Sequence, residues 1–335
     1  MNKTFLWLSS LLIVQIVLAI GLYWGTSSHT GQQAQRMLLN VKQEMIDKIV
    51  IQGDKQTALL QKKEGQWRLP SLDDLPVNQD QLQSVLNKLV DVKYHWPIAT
   101  TKSSHQRFDV DDDQFQRRIT LYKGEDMVTD VLLGTSPGFR KVHARLAGEN
   151  NVYALALNTF DFPNEDKQWM NKALLAAKDI TLIQTPHYTL KKSDDNWLLE
   201  NDVDDGDRVL DQEKVNQLSQ ALTSLAVLDI AQETQDVLSE SWIKVDIIGD
   251  NKWSYQWLEK DGQYYVKRDD INQVFTVSQS DYERVVILDL SKLYRQPQHA
   301  NMEEENTDPT VVKDSLPVEP PSDFLPGEED ITTQQ

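Results

Sequence analysis

The chain of 335 residues contains no cysteine. Disulfides, thiolate metal sites, a thiol nucleophile and the lipidated cysteine of a bacterial lipoprotein are therefore excluded. Histidine is sparse: His29, His95, His105, His143, His187 and His299 include no two at helical or hairpin metal spacing, so no zinc site is expected. The G-x-S-x-G signature of a nucleophile elbow is missing. The stretch "GTSPG", Gly134 to Gly138, has the glycines of a phosphate loop but no following Gly-Lys-Ser or Gly-Lys-Thr, and reads as a hairpin turn. Positive charge is short as well, with 34 Lys and Arg against 52 Asp and Glu and a net charge of -18. That balance offers no basic face for phosphate neutralisation and argues against nucleic acid as a partner. No catalytic, cofactor-binding or metal-binding residue is assigned, and no cofactor is expected.

What is present begins with "FLWLSSLLIVQIVLAIGLYW", Phe5 to Trp24, which carries no charged residue. Its length suits a helix across a hydrocarbon core of about 30 Å. Trp7 at one end and Tyr23 with Trp24 at the other match an interfacial aromatic belt. Lys3 precedes the run and no cation follows until Arg36. The positive-inside tendency then places the N-terminus in the cytoplasm and the bulk of the chain outside, in the manner of a single-pass protein of a bacterial inner membrane. A cleaved signal peptide, with Val17 and Ala19 before the cut, is the rival reading; the apolar run continues past that point, which favours the anchor.

The other end is acidic. Between His299 and Gln335 ten acidic residues face Lys313 alone, half of the chain's net charge. With Pro309, Pro317, Pro320, Pro321 and Pro326 and few large apolar residues, this tail is expected to be disordered. Two internal acidic clusters invite a calcium reading. In "DVDDD", Asp109 to Asp113, Gln114 and Thr120 stand where an EF-hand needs Gly and Glu, so a solvated turn is expected. In "DVDDGD", Asp202 to Asp207, Glu213 holds the twelfth place but Gly206 comes one position early, and an acidic loop before a helix is expected.

Between anchor and tail the chain reads twice. Leu38 to Ile51 and Leu174 to Ile183 share paired leucines, a lysine and a strand-like run. Leu60, Lys62, Trp67 and Leu69 then match Leu190, Lys192, Trp197 and Leu199 at one offset, which assigns Trp67 and Trp197 to equivalent core points. A helix follows in each half. The first starts at the N-cap Asn78 and places Leu82, Val85, Leu86, Leu89 and Val92 on one face; the second starts at Asp211 and does so with Val215, Leu218, Leu222 and Leu225. Hairpins with Gly124 and with Gly249 and Asp250 in their turns come next. Asn151, Val152, Tyr153 and Leu155 then fall beside Gln273, Val274, Phe275 and Val277. In "WSYQW" the alternation is read as placing Trp253 and Trp257 on opposite faces, with Tyr255 sharing the face of neither. A partly exposed aromatic surface there is weighed against ordinary packing.

The expected fold class is α+β. It comprises an N-terminal membrane anchor (1–30), a first α+β repeat (31–173), a second (174–297) and a disordered tail (298–335), each repeat running strand, strand, helix, strands.

These same residues resemble a bacterial family, domain of unknown function 4340. The resemblance rests on the strand pair with "WRL", the helix, "RFDVDDDQFQRRITLY" and "LLGTSPGFRKVHARLAGENNVYAL". It covers Leu38 to about Ile183, and more loosely the second copy down to Tyr294. The chain departs from the family pattern at His143, where a tyrosine-containing strand is usual. The resemblance implies one N-terminal anchoring helix and an accessory role beside ABC transporters of the gliding-motility type, whose subunits become the expected partners, and it carries over no catalytic residue. Two other readings stay open: a hydrolase using paired carboxylates, and a binder of an exported lipid or glycan in an apolar cleft between the copies.

Overall fold

Apolar residues at every second position bury one face of a strand, and the burial pattern of Lys48–Gln52 and Thr57–Lys63 follows that period, with Ile49, Ile51, Ala58 and Leu60 inside. The computed structural model describes Trp7 and residues 12–20, 36–39, 41–200, 208–232, 239–286 and 290–295. Residues 12–20 are helical with exposed apolar side chains. Among the described residues no helix is long and apolar enough to cross a membrane. The rest of the expected anchor, the "DVDDGD" loop and the expected tail from residue 298 lie outside the described residues.

The first half contains β1 (Arg36–Met37), β2 (Lys48–Gln52), β3 (Thr57–Lys63), β4 (Gln66–Leu69), β5 (Leu75–Pro76), helix α1 (Gln79–Asp91), β6 (Lys93–Tyr94), a one-turn helix α2 (Ser104–Arg107), β7 (Arg117–Lys123), β8 (Asp126–Leu133), β9 (Val142–Leu146) and β10 (Val152–Leu155). Strands β1 and β6 pair with each other; the rest form an eight-stranded antiparallel sheet ordered β10-β9-β8-β7-β2-β3-β4-β5. The second half contains β11 (Leu182–Gln184), β12 (Thr189–Ser193), β13 (Asn196–Glu200), helix α3 (Gln212–Thr223), β14 (Asp229–Ile230), β15 (Ile243–Ile248), β16 (Lys252–Lys260), β17 (Gln263–Arg268), β18 (Phe275–Val277) and helix α4 (Gln279–Val285). Its eight-stranded sheet is ordered β13-β12-β11-β15-β16-β17-β18-β14. The fold is α+β, with two antiparallel sheets and few helices.

Seven strands of the two sheets follow one order, β4-β3-β2-β7-β8-β9-β10 beside β13-β12-β11-β15-β16-β17-β18. The registers agree residue by residue. Ile49 faces Leu60 as Ile183 faces Leu190, and Leu155 faces Val142 as Val277 faces Tyr264. Backbone hydrogen bonds outside the sheets agree too. Lys62 N donates to Asp47 O and Lys192 N to Thr181 O, while Asn78 N donates to Trp169 O and Asp211 N to Leu293 O.

Each long helix lies with its apolar stripe inward: Leu82, Val85, Leu86 and Leu89 on α1, and Val215, Leu218, Ala221 and Leu222 on α3. Their starts are capped by Asn78, which accepts from Gln81 N at 3.1 Å, and by Asp211, which accepts from Glu213 N and Lys214 N. The two inner faces belong to one continuous apolar core that includes Trp67, Trp197 and Trp257.

The reading of "WSYQW" needs correction. Trp253, Tyr255 and Trp257 all face the same core, with Tyr255 and Trp257 fully buried and Trp253 half-buried. A strand has a period of two, so residues two and four apart share a face. Tyr255 stacks near Trp257 and donates its hydroxyl to Leu175 O at 2.6 Å.

Candidate functional site

The acidic segment Asp109–Asp113 is held by one buried cation. Arg145, 2 % exposed, donates to Val110 O, Glu149 O and the Asp112 carboxylate at 2.6, 3.2 and 2.6 Å. That bond holds the Asp112 carboxyl below its usual range. Beside it, Arg118 forks onto buried Asp130, which also accepts from Thr120 Oγ1. With its carboxylate committed to Arg145, Asp112 is tied down as part of a salt-bridged turn. Among the described residues no three His, Asp or Glu side chains are grouped to hold a metal.

The "GTSPG" segment forms the connection between β8 and β9. Gly134 is required there, since a Cβ would lie 1.9 Å from Phe108 O. Ser136 Oγ donates to Gly138 O and Lys141 O, fixing a loop whose tip carries Phe139 and Arg140. Behind it, His143 is buried against Phe108 at 4.4 Å and bonded to Thr135 Oγ1. Burial pushes its imidazole down from the ordinary value, and the Arg107 charge adds to that.

That loop contributes one wall of an open cavity of about 510 Å³ lined by Lys88, Asp91, Val92, Lys93, His95, Lys141, Ala154 and Ala156. The α1 stripe that buries Leu89 turns Lys88 outward at the C-terminal end of the helix. The chain then leaves the helix through β6, held by the β1 pairing Met37 to Lys93 and by Tyr94 packed on Tyr153 at 4.4 Å. Lys88 pairs with Asp161 at 3.0 Å. Three exposed aromatics lie next in sequence to these residues: Trp96 after His95, Phe139 two places before Lys141, and Phe160 before Asp161. Apart from Trp7, they are the exposed tryptophan and phenylalanine side chains among the described residues. The combination of three lysines and three exposed aromatics suits an anionic or amphipathic partner.

A second concavity of about 520 Å³ is lined by Asp179, Ile180, Thr181, Lys192, Asp194, Ser219 and Thr223. It brings two carboxylates to one wall, both exposed to solvent. Acid–base work on a glycosidic bond uses a carboxyl set in an apolar pocket, which this wall does not supply.

The sequence assigned no residue to a site. The basic cavity escaped it because Lys88, Lys93 and Lys141 are scattered along the chain and brought together by the turn after α1 and the β8–β9 connection. The available signal was the aromatic and basic run "FRK", Phe139 to Lys141, in a loop that reads only as a turn.

Two matched antiparallel sheets, each backed by one amphipathic helix, define an α+β scaffold whose most distinctive surface is a hollow lined by three lysines. A family described as a domain of unknown function (DUF4340) matches residues 67–241, just over half of the chain, from β4 through α3 to the residues before β15. The chain belongs to that family. Neither the curated proteins nor the solved structures contain a match.

Proposed function

We propose that this is a non-enzymatic, membrane-anchored, extracytoplasmic accessory protein in which two copies of one α+β unit form a binding scaffold beside an ABC-type envelope transporter. The observation that carries the reading is the shared order of seven strands combined with a hollow in the first half that gathers Lys88, Lys93 and Lys141. Duplication supplies the scaffold, and divergence of one copy supplies a recognition surface. The uncharged run Phe5 to Trp24 supports the anchor, and the family resemblance supports the transporter as partner. Mild crosslinking followed by affinity purification from detergent-solubilised membranes tests it. Transporter subunits are the expected co-purified partners, and their absence across crosslinker lengths and detergents overturns the assignment. Orientation has its own test, because the chain lacks cysteine: single cysteines placed after residue 30 react with an impermeant thiol reagent in intact cells.

The competing reading is a carboxylate-dependent hydrolase, for which Asp179 and Asp194 line one concavity while both stay exposed to solvent. Turnover of glycan substrates that is lost in both Asp179→Asn and Asp194→Asn variants would establish it.

A further inference from the structure

We infer that the hollow of the first sheet is a membrane-facing surface that seats on anionic phospholipid headgroups, with Trp96, Phe139 and Phe160 entering the interface around Lys88, Lys93 and Lys141. The inference rests on the anchored reading given above and adds an orientation to it.

Three observations converge. The first is composition: the hollow collects three lysines against Asp91 and Asp161, in a chain of net charge -18. An acidic protein held near an anionic surface is repelled on the whole and attracted at a basic face. Arg140 adds a fourth cation, its guanidinium over the Phe139 ring at 5.0 Å. The second is the exposure of aromatics next in sequence to His95, Lys141 and Asp161: Trp96 is 70 %, Phe139 86 % and Phe160 84 % exposed. Aromatics paired with lysines are the residues that settle at a headgroup boundary, ring inward and charge outward.

The third observation is where the chain enters. Strand β1, the first element after the apolar run, pairs with β6 so that Met37 lies opposite Lys93 on the hollow's wall. Met37 is itself exposed. Gly25 to Gln35 span at most about 40 Å when fully extended. A tether of that reach ending beside the hollow holds this part of the molecule within about 40 Å of the bilayer.

The equivalent corner of the second sheet lacks the three lysines and keeps an aromatic only as half-buried Tyr282. With Asn78 aligned on Asp211 and Leu155 on Val277, the positions of Lys88, Lys93, Lys141, Trp96 and Phe160 are held by Ala221, Ala226, Gln263, Asp229 and Tyr282. Between Leu133 and Val142 the first sheet makes an eight-residue loop that carries Phe139, whereas the second sheet carries β16 and β17 on to the tight turn Asp261–Gly262. A shared structural need would have kept these side chains in both sheets.

The test uses the full chain reconstituted into vesicles of phosphatidylcholine alone or phosphatidylcholine with phosphatidylglycerol. An environment-sensitive fluorophore is placed on single cysteines at Trp96→Cys, Phe139→Cys and, as a distant control, Leu198→Cys. All three sites are exposed, and thermal melts verify the fold. The inference expects blue-shifted, brighter emission at positions 96 and 139 in the phosphatidylglycerol vesicles only. It expects no change at 198, and loss of the shift in a Lys93→Glu, Lys141→Glu background. The shift should also vanish near 1 M salt, where the Debye length is about 3 Å. A chain that fails to float with either vesicle overturns the anchor and this inference together. Flotation with identical emission at 96, 139 and 198 overturns the inference alone. If 96 and 139 ignore lipid in vesicles but are shielded from an impermeant thiol reagent in native membranes, a protein covers the hollow and the lipid assignment is wrong.

Discussion

The first and second sheets carry the same seven strands yet finish their corners in opposite ways. In the second sheet the chain leaving β18 is capped by Ser278 and winds into α4, which packs on α3 and β17. Tyr282 then lies on Tyr264 at 5.0 Å, Val285 is fully buried and Ala221 is sealed beneath. In the first sheet the chain leaving β10 makes two short 3-10 turns, Thr159–Asp161 and Asp166–Trp169, in place of an α-helix, and the helix position aligned with Ala221 is the outward Lys88. One turn of helix more or less decides whether the corner becomes core or surface. A corner that has exchanged apolar closure for lysines and exposed aromatics gives up buried area, on the order of 25 cal/mol per Å², and such a loss is consistent with a surface kept for recognition.

If the two sheets are equivalent where they are closed, equivalent core truncations should cost the same. Leu60→Ala and Leu190→Ala, both at fully buried facing positions, should each lower unfolding free energy by about 2–5 kcal/mol. Urea denaturation checks this; costs that differ by more than about 2 kcal/mol would break the equivalence. Next in size is Arg145→Met. It strips donors from Val110 O and Glu149 O and frees the "DVDDD" turn, at roughly 2–4 kcal/mol. The aligned residue, Lys267, merely stacks on Trp242 at 4.4 Å, and Lys267→Met should cost about 1 kcal/mol or less.

The parts of this architecture that were legible in the sequence share one property: they depend on local periodicity. The Leu82, Val85, Leu86, Leu89 stripe and its Asn78 cap announce α1, and the offset of Leu60 and Trp67 to Leu190 and Trp197 announces matched hairpins, because strand and helix periods are short-range. The face of Tyr255 was misjudged by a miscounted alternation. The basic hollow was not legible, since Lys88, Lys93 and Lys141 meet only through the pairing of β1 with β6 and the fold of the β8–β9 loop. Arg145 was hidden for a similar reason: in "VHARL" it looks like the solvent face of an edge strand, and only the covering segment Val110 to Phe115 makes it a buried charge.

A third test uses pH. Tyr188 of the second sheet aligns with Ala58 of the first and is buried; its hydroxyl has no hydrogen-bond partner among the described residues. Burial pushes its phenol up to about 12 from an ordinary 10. With the folded value above the unfolded one, the associated stability is whole below pH 10 and is lost as pH rises toward 12. The loss is on the order of 2 kcal/mol. Tyr188→Phe should therefore shift the alkaline unfolding midpoint upward. At neutral pH it should be neutral or stabilising by about 1 kcal/mol, since it removes an unsatisfied polar atom. An unchanged alkaline midpoint in chemical denaturation would show that another group governs high-pH unfolding.

The smallest effect separates the two helix starts. Asn78 offers a neutral amide oxygen to one backbone N–H, whereas Asp211 offers a carboxylate to two, Glu213 N at 3.1 Å and Lys214 N at 3.4 Å. Either cap replaced by Ala should cost about 1 kcal/mol. The carboxylate also meets the positive end of the helix dipole, a contribution of about 0.3–1 kcal/mol that salt screens. Asp211→Ala should consequently cost more than Asn78→Ala at low ionic strength, and the gap should close as salt is added. Asp211→Asn isolates the same quantity, because it keeps an acceptor while removing the charge. A gap that persists unchanged in high salt would assign it instead to the extra hydrogen bond, and so decide which feature distinguishes two helices that are otherwise built on one pattern.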